Sequence, residues 1–123
     1  MIKFFRCRHC GNVIVKMVDS GVTVVCCGEK MEELTANTVE AATEKHLPIV
    51  ENKGKEIFVK VGQVAHPMIE EHYINFIALE SKNGVEIRYL HPGEAPEATF
   101  AIESAVAVYG YCNLHGLWKT EVR

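Results

Sequence analysis

Five cysteines and six histidines stand out among 123 residues as the side chains best able to do chemistry, and they are unevenly placed. Cys7, Cys10, Cys26 and Cys27 fall within the first 27 residues, whereas Cys112 and five of the histidines lie beyond residue 45. An odd cysteine count fits metal or redox chemistry in a reducing compartment better than a disulfide framework. Cys7-Arg8-His9-Cys10-Gly11 is a C-x-x-C knuckle, in which two intervening residues let both sulfurs face one ion and Gly11 relieves the backbone. After fifteen further residues comes Cys26-Cys27. Four thiolates at this spacing can enclose a tetrahedral ion. Zinc and mononuclear iron both accept four sulfurs, and the adjacency of Cys26 and Cys27 is expected to strain the tetrahedron in either case. The competing reading is plain structural cysteine, reduced or paired in disulfides. His9, inside the knuckle, reads as solvent-facing.

The second group is His46, His66, His72, His91 and His115 with Cys112. Cys112-Asn113-Leu114-His115 is a C-x-x-H pair at the end of an expected strand, and His66 and His72 lie across a loop that Pro67 keeps from being a plain helix. Taken singly, each histidine is more readily an exposed or hydrogen-bonded residue than a ligand. Crowded into fewer than 80 residues, they invite a metal. These spacings match no common zinc finger, and His91, in His91-Pro92-Gly93, reads as an exposed turn.

Positioning these side chains falls to a small chain with 48% hydrophobic content, enough for one ordinary domain or two very small ones. The net charge of -3 and the lack of a basic block argue against a nucleic-acid or anionic-membrane surface. No apolar run approaches the ~18 residues of a membrane span, and the start of the chain lacks a secretory pattern, so a soluble cytoplasmic protein is expected. Val13–Val18 and Val22–Val25 are β-rich runs joined through Asp19-Ser20-Gly21, which predicts a hairpin bringing the two cysteine pairs together. Residues 32–40 read as a linker or a short helical connection. The boundary near residue 36 then gives a metal-stabilised module, 1–36, and a larger one, 37–123. Glu56–Val61 and Val85–Leu90 alternate as strands, with Asn83-Gly84 as a hairpin turn. Tyr73–Leu79 and Ala98–Tyr111 add β-compatible stretches around the breaker-rich 91–96 segment. The pattern points to a small antiparallel sandwich.

Cys7-x-x-Cys10-Gly11-Asn12, Cys26-Cys27-Gly28, Glu44-Lys45-His46-x-Pro48, Val64-Ala65-His66-Pro67-Met68 with His72, and Cys112-Asn113-Leu114-His115-Gly116-x-Trp118 together resemble the desulfoferrodoxins, the two-iron superoxide reductases. The match runs in order along nearly the whole chain. The resemblance implies an all-β protein: a desulforedoxin-like N-terminal domain with an iron tetrathiolate, then an immunoglobulin-like β-sandwich with a catalytic iron. It implies that His46, His66, His72 and His115 are equatorial ligands and Cys112 the axial thiolate of that second iron. Glu44 and Lys45 would stand beside its open position. It further implies reduction of superoxide to hydrogen peroxide, an external electron donor such as rubredoxin, and a homodimer.

Each residue type suits such chemistry. Four imidazoles favour Fe(II), a thiolate opposite an open position donates electron density, and a lysine beside it attracts an anion and holds a proton donor. Glu44 would fill the open position once product leaves. Two other readings compete: a rubredoxin-like one-electron carrier, against which the second cluster argues, and a zinc-stabilised binding module, disfavoured by the acidic balance.

Overall fold

The short runs of β-branched and aromatic residues near the start of the chain favour brief strands of two or three residues. In the computed structural model, which describes residues 2–122, one compact unit ends at Thr35 and a second begins at Ala36. In the first unit, β1 (Phe4–Arg6) is flanked by β2 (Val13–Val15) and by β5 (Glu32–Glu33), both antiparallel to it. A separate ribbon joins β3 (Val25–Cys26) to β4 (Glu29–Lys30). Its two-residue loop is Cys27-Gly28, and both residues have positive φ, 54° and 75°. A tight hairpin turn that matches the twist of its strands demands this conformation.

This corrects two expectations. The 13–25 hairpin does not form: β2 pairs with β1, while residues 16–24 make an open turn. The Asp19 carboxylate accepts from the Gly21 N–H at 2.8 Å and the Lys16 ammonium at 3.0 Å, and the Lys16 ammonium also donates to the Val22 carbonyl at 2.6 Å. Those bonds satisfy the loop without a ladder, which leaves Val18 and Val22 exposed. The 32–40 stretch is likewise not all connection. Glu32 faces Arg6 across the β1–β5 pair, and their side chains form an ion pair at 2.7 Å that favours strand there.

The second unit opens with α1 (Thr43–His46), a single turn, followed by β6 (Pro48–Asn52) and β7 (Ile57–Val61). The remaining strands are β8 (Ile74–Ser81), β9 (Gly84–Tyr89), β10 (Glu97–Phe100), β11 (Ala107–Cys112) and β12 (Gly116–Glu121). They build two antiparallel sheets, ordered β10-β7-β6 and β12-β11-β8-β9, which make the expected sandwich. Ile57, Val59 and Val61 alternate inward from β7. They meet Ile74, Ile77 and Leu79 from β8, together with Phe100 and Val108. Each such side chain contributes roughly 1.5–3 kcal/mol by leaving water.

Two sequence details differ. The β8–β9 turn is Lys82-Asn83, with Gly84 already paired to Ser81. The 98–111 stretch divides into β10 and β11, which belong to different sheets. The β8–β11 ladder also slips once: Tyr111 faces Phe76, but Cys112 faces Ile74, so Asn75 is an extra residue on β8. The Asn75 carbonyl turns to accept from Leu90 instead.

Candidate metal centres

The first centre is built by two turns of the first unit. After β1, the Gly11 N–H donates to the Cys7 carbonyl at 3.0 Å and the Cys7 N–H to the Asn12 carbonyl at 2.9 Å. Gly11 sits at φ 83°, where a side chain would be strained. The β3–β4 turn supplies the other pair, and Cys7, Cys10, Cys26 and Cys27 offer sulfurs that all lie within 4.8 Å of one another. Cys10 and Cys26 stand 3.6 Å apart, and the Asn12 amide points at the Cys26 sulfur at 3.6 Å. None of the chain's five cysteines is in a disulfide. Adjacency does not keep Cys26 and Cys27 from sharing the site: Cys27 takes a positive φ of 54°, and its sulfur lies within 4.8 Å of the other three.

Electrostatics demand a cation here. The Cys10 backbone N–H pulls the Cys7 thiol down to about 6, whereas the neighbouring Cys10 and Cys7 sulfurs push Cys27 up to about 12. Packed thiolates repel one another, so all four deprotonate only around a metal. His9 is exposed and pairs with Glu29, which also accepts from Arg8.

The second centre gathers side chains from the turn α1, the loop before β8 and the end of β11. His46 and His66 are buried, with a hydrogen bond joining each Nδ1 to a backbone carbonyl: Ala42 at 2.7 Å and Pro67 at 2.7 Å. With Nδ1 held by a carbonyl, Nε2 carries the lone pair, and the two Nε2 atoms approach to 3.1 Å. His72 Nε2 is buried without a hydrogen-bond partner among the described residues. One ligand atom from each of His46, His66, His72 and Cys112 lies within 4.8 Å of all the others. His115 stands beside this group, its Nδ1 3.1 Å from His46 Nε2 and 3.9 Å from the Cys112 sulfur. The structure thus brings together all nine sulfur and imidazole positions singled out in the sequence, in two groups. His91 stays apart, exposed and paired with Glu94.

Burial sets the protonation of this pocket. Desolvation lowers His46 and His72 and takes His66 down to about 4, so all three are neutral near pH 7. The same desolvation raises the Cys112 thiol, against the opposing pull of the His115 and Leu114 amides. A lone thiolate would be costly here, whereas a bound cation makes it favourable. An orphaned buried nitrogen, lone pairs turned inward and a thiol needing a counter-charge all fit an ion with imidazole and sulfur ligands. Glu44 and Lys45 are exposed on α1, next to His46. The Lys45 charge reaches His46 and His72, lowering both.

Trp118 was legible as a residue but not as a support. Its ring stacks on His46 with centroids 5.1 Å apart, and its Nε1–H donates to the His115 carbonyl at 3.1 Å. One buried indole therefore braces two members of the cluster. Its position three residues after His115 was the available signal, whereas the carbonyls of Ala42 and Pro67 leave no trace in side-chain identity. We expect Trp118→Phe to keep the stack and lose the hydrogen bond, lowering stability by about 1 kcal/mol. The urea unfolding midpoint reads this, and an unchanged midpoint would show that the His115 carbonyl finds another donor.

Two mononuclear metal sites of unlike donor character, one all sulfur and one imidazole with a single sulfur, on a small β domain and a β-sandwich define a two-centre non-haem metalloprotein. Family models described as "Desulfoferrodoxin, N-terminal domain" and "Desulfoferrodoxin" match residues 2–34 and 38–121. A desulfoferrodoxin of Desulfarculus baarsii is 46% identical over 122 residues, covering 98% of this chain and 96% of that protein. The chain belongs to the desulfoferrodoxin family. The crystal structure of the superoxide reductase from Treponema pallidum superposes with a TM-score of 0.81 at 38% identity, covering 98% of this chain and 99% of that one. A superoxide reductase of Pyrococcus furiosus is 31% identical over 108 residues, covering 64% of this chain and 87% of that protein.

Proposed function

We propose that this chain is a superoxide reductase carrying two irons, one held by Cys7, Cys10, Cys26 and Cys27 and the other by His46, His66, His72, His115 and Cys112. The observation that carries it is the convergence of two buried imidazoles, the half-buried His72 and a fully buried sulfur within 4.8 Å, with the Nδ1 of His115 facing the same point. Iron bound in the second site supplies one electron to superoxide, which leaves with two protons as hydrogen peroxide, and the oxidised metal is restored by an external donor. The protein's part is positional and electrostatic. Backbone carbonyls hold His46 and His66 with their lone pairs inward, so little rearrangement accompanies a change of metal charge. The His115 N–H donates to the Cys112 sulfur at 3.4 Å and tempers its electron donation. Lys45 draws the anionic substrate toward the imidazoles and keeps a proton-bearing group near it. Glu44, adjacent on the same exposed turn, would be the carboxylate able to cover the site once product has left.

Exposure of Cys10 and Cys27 supports electron entry at the first site from a small redox protein such as rubredoxin. Five cysteines without a disulfide support a cytoplasmic setting. Exposed Ile87 and Tyr89 on the edge strand β9 support a homodimer. No helix among the described residues is long and apolar enough to cross a membrane.

The test is iron content with pulse radiolysis. Two irons per chain and a second-order reaction yielding one peroxide per superoxide are expected; a colourless zinc protein, or iron protein inert to superoxide, would refute the reading. Within it, Lys45→Ala is expected to slow the reaction about tenfold at low ionic strength, with the gap closing as salt rises. Equal rates across the salt range would remove steering. Glu44→Ala should complete its first turnover at the normal rate but show an altered ferric spectrum.

A further inference from the structure

The turn after β7 runs against the backbone that carries Glu44, Lys45 and His46, and it can do so only because residue 62 has no side chain. A Cβ on Gly62 would lie 2.7 Å from the Glu44 carbonyl oxygen, 2.9 Å from the Lys45 carbonyl carbon and 3.1 Å from the Leu47 carbonyl oxygen. All three are main-chain atoms, so no rotamer change relieves the overlap. Residues 44–47 themselves would have to move. Hydrogen bonds fasten this approach: the Val64 N–H donates to the Glu44 carbonyl at 2.8 Å, and the His66 N–H to the Val61 carbonyl at 3.0 Å. The turn therefore joins β7, the Glu44 carbonyl and the ligand His66 in one unit.

The α1 segment needs such a wall. It is a single turn without a side-chain cap, and a helix that short has too few internal bonds to hold its own place. Yet it must aim the buried His46 imidazole inward and hold the neighbouring Lys45 on the exposed side of the same turn. We propose that Gly62 is a positioning residue for the superoxide reaction: its bare backbone lets the 61–66 turn clamp residues 44–47, which sets where the Lys45 ammonium and the His46 ring stand at the second site. The clamp rests on the roles given above to Glu44 and Lys45, and its test separates the two.

Iron-loaded Gly62→Ala is compared with two other variants. Gly110→Ala crowds the same core, but against the Val61 side chain, whose Cγ2 would lie 3.1 Å from the new Cβ. Val64→Pro deletes the N–H that reaches Glu44, keeps the Val64 carbonyl that accepts from the Gly62 N–H at 3.4 Å, and adds no side chain at residue 62. Gly62→Ala and Val64→Pro are expected to shift the ferric absorption and the reduction potential of the second site, with the tetrathiolate absorption unchanged. They should also slow superoxide reduction by about tenfold or more, the scale on which small misplacements act. A normal ferric band and potential in Gly62→Ala overturn the clamp. So does an equal shift in Gly110→Ala, because core crowding would then be the cause.

If Gly62→Ala fails to hold iron at the second site, Val64→Pro decides by the same readouts. Hydrogen exchange on the unaltered holoprotein decides independently: the Val64 amide should be protected as well as that of Leu47, which bonds Thr43 at 2.9 Å. Rapid exchange at Val64 overturns the clamp. Should Lys45→Ala and Glu44→Ala prove silent while Gly62→Ala still shifts the potential, the roles of those two side chains fail and the placement of His46 by Gly62 stands.

Discussion

A Cys112→Ser chain is expected to lose superoxide reduction by more than about 100-fold, the upper range for removing even an outer-shell partner of a metal ligand. The hydroxyl of serine matches the thiol in shape, so the sandwich should stay folded. Cys112 is fully buried in the core that holds Ile57, Val59 and Ile74, and that packing survives an exchange of one atom. What changes is the electron density delivered to the metal, since a neutral hydroxyl cannot replace a thiolate. The sulfur-to-iron band of the second site should vanish while that of the tetrathiolate persists. Rates within threefold of the unaltered chain, a difference of about 0.65 kcal/mol, would show that the sulfur is not required.

The second large effect concerns folding. Among the described residues of the first unit only Phe4, Cys7 and Met31 are buried apolar side chains, too few to hold about 35 residues together. Metal ligation must supply the difference; structural zinc in comparably small peptides contributes about 10–16 kcal/mol at neutral pH. Cys10→Ser with Cys27→Ser, which dismantles the first site, is therefore expected to release the amides of Phe4–Arg6 and Val13–Val15 to fast hydrogen exchange. The amides of Ile57–Val61 and Ile74–Ser81 should keep their protection. Slow exchange in β1 and β2 after metal loss would mean that the small unit folds without its ion.

Much of this was readable in the sequence, for reasons that can be given residue by residue. The alternation Ile57-Phe58-Val59-Lys60-Val61 has one inward face, so both strand and core side followed. Cysteine and histidine carry their chemistry in their identity, so two groups could be suspected from residue types, but which histidines belong to the second followed only from the family resemblance. The hairpin of residues 13–25 failed because β-propensity does not choose a partner. Val13–Val15 satisfies its backbone equally well against Phe4–Arg6, and Lys16 with Asp19 closes the intervening loop by side-chain bonds. The Ala98–Tyr111 run broke because periodicity does not show where a chain leaves one sheet for the other. Gly62 escaped notice since a residue that acts by having no side chain leaves only an absence to read.

The extra residue on β8 has a bearing on which changes of length this protein can survive. Asn75 sits between the regular ladder that ends at Phe76 and the pairing of Ile74 with Cys112. Side chains along a strand alternate between faces, so it is this extra residue that lets Ile74 and Ile77, three positions apart, share the core face, and one more residue between His72 and Phe76 would turn Ile74 away from Cys112 unless the bulge widened to absorb it. Insertions in the 91–96 turn leave this count untouched. Over evolutionary time the segment from His72 to Phe76 should therefore tolerate spelling changes more readily than an added letter.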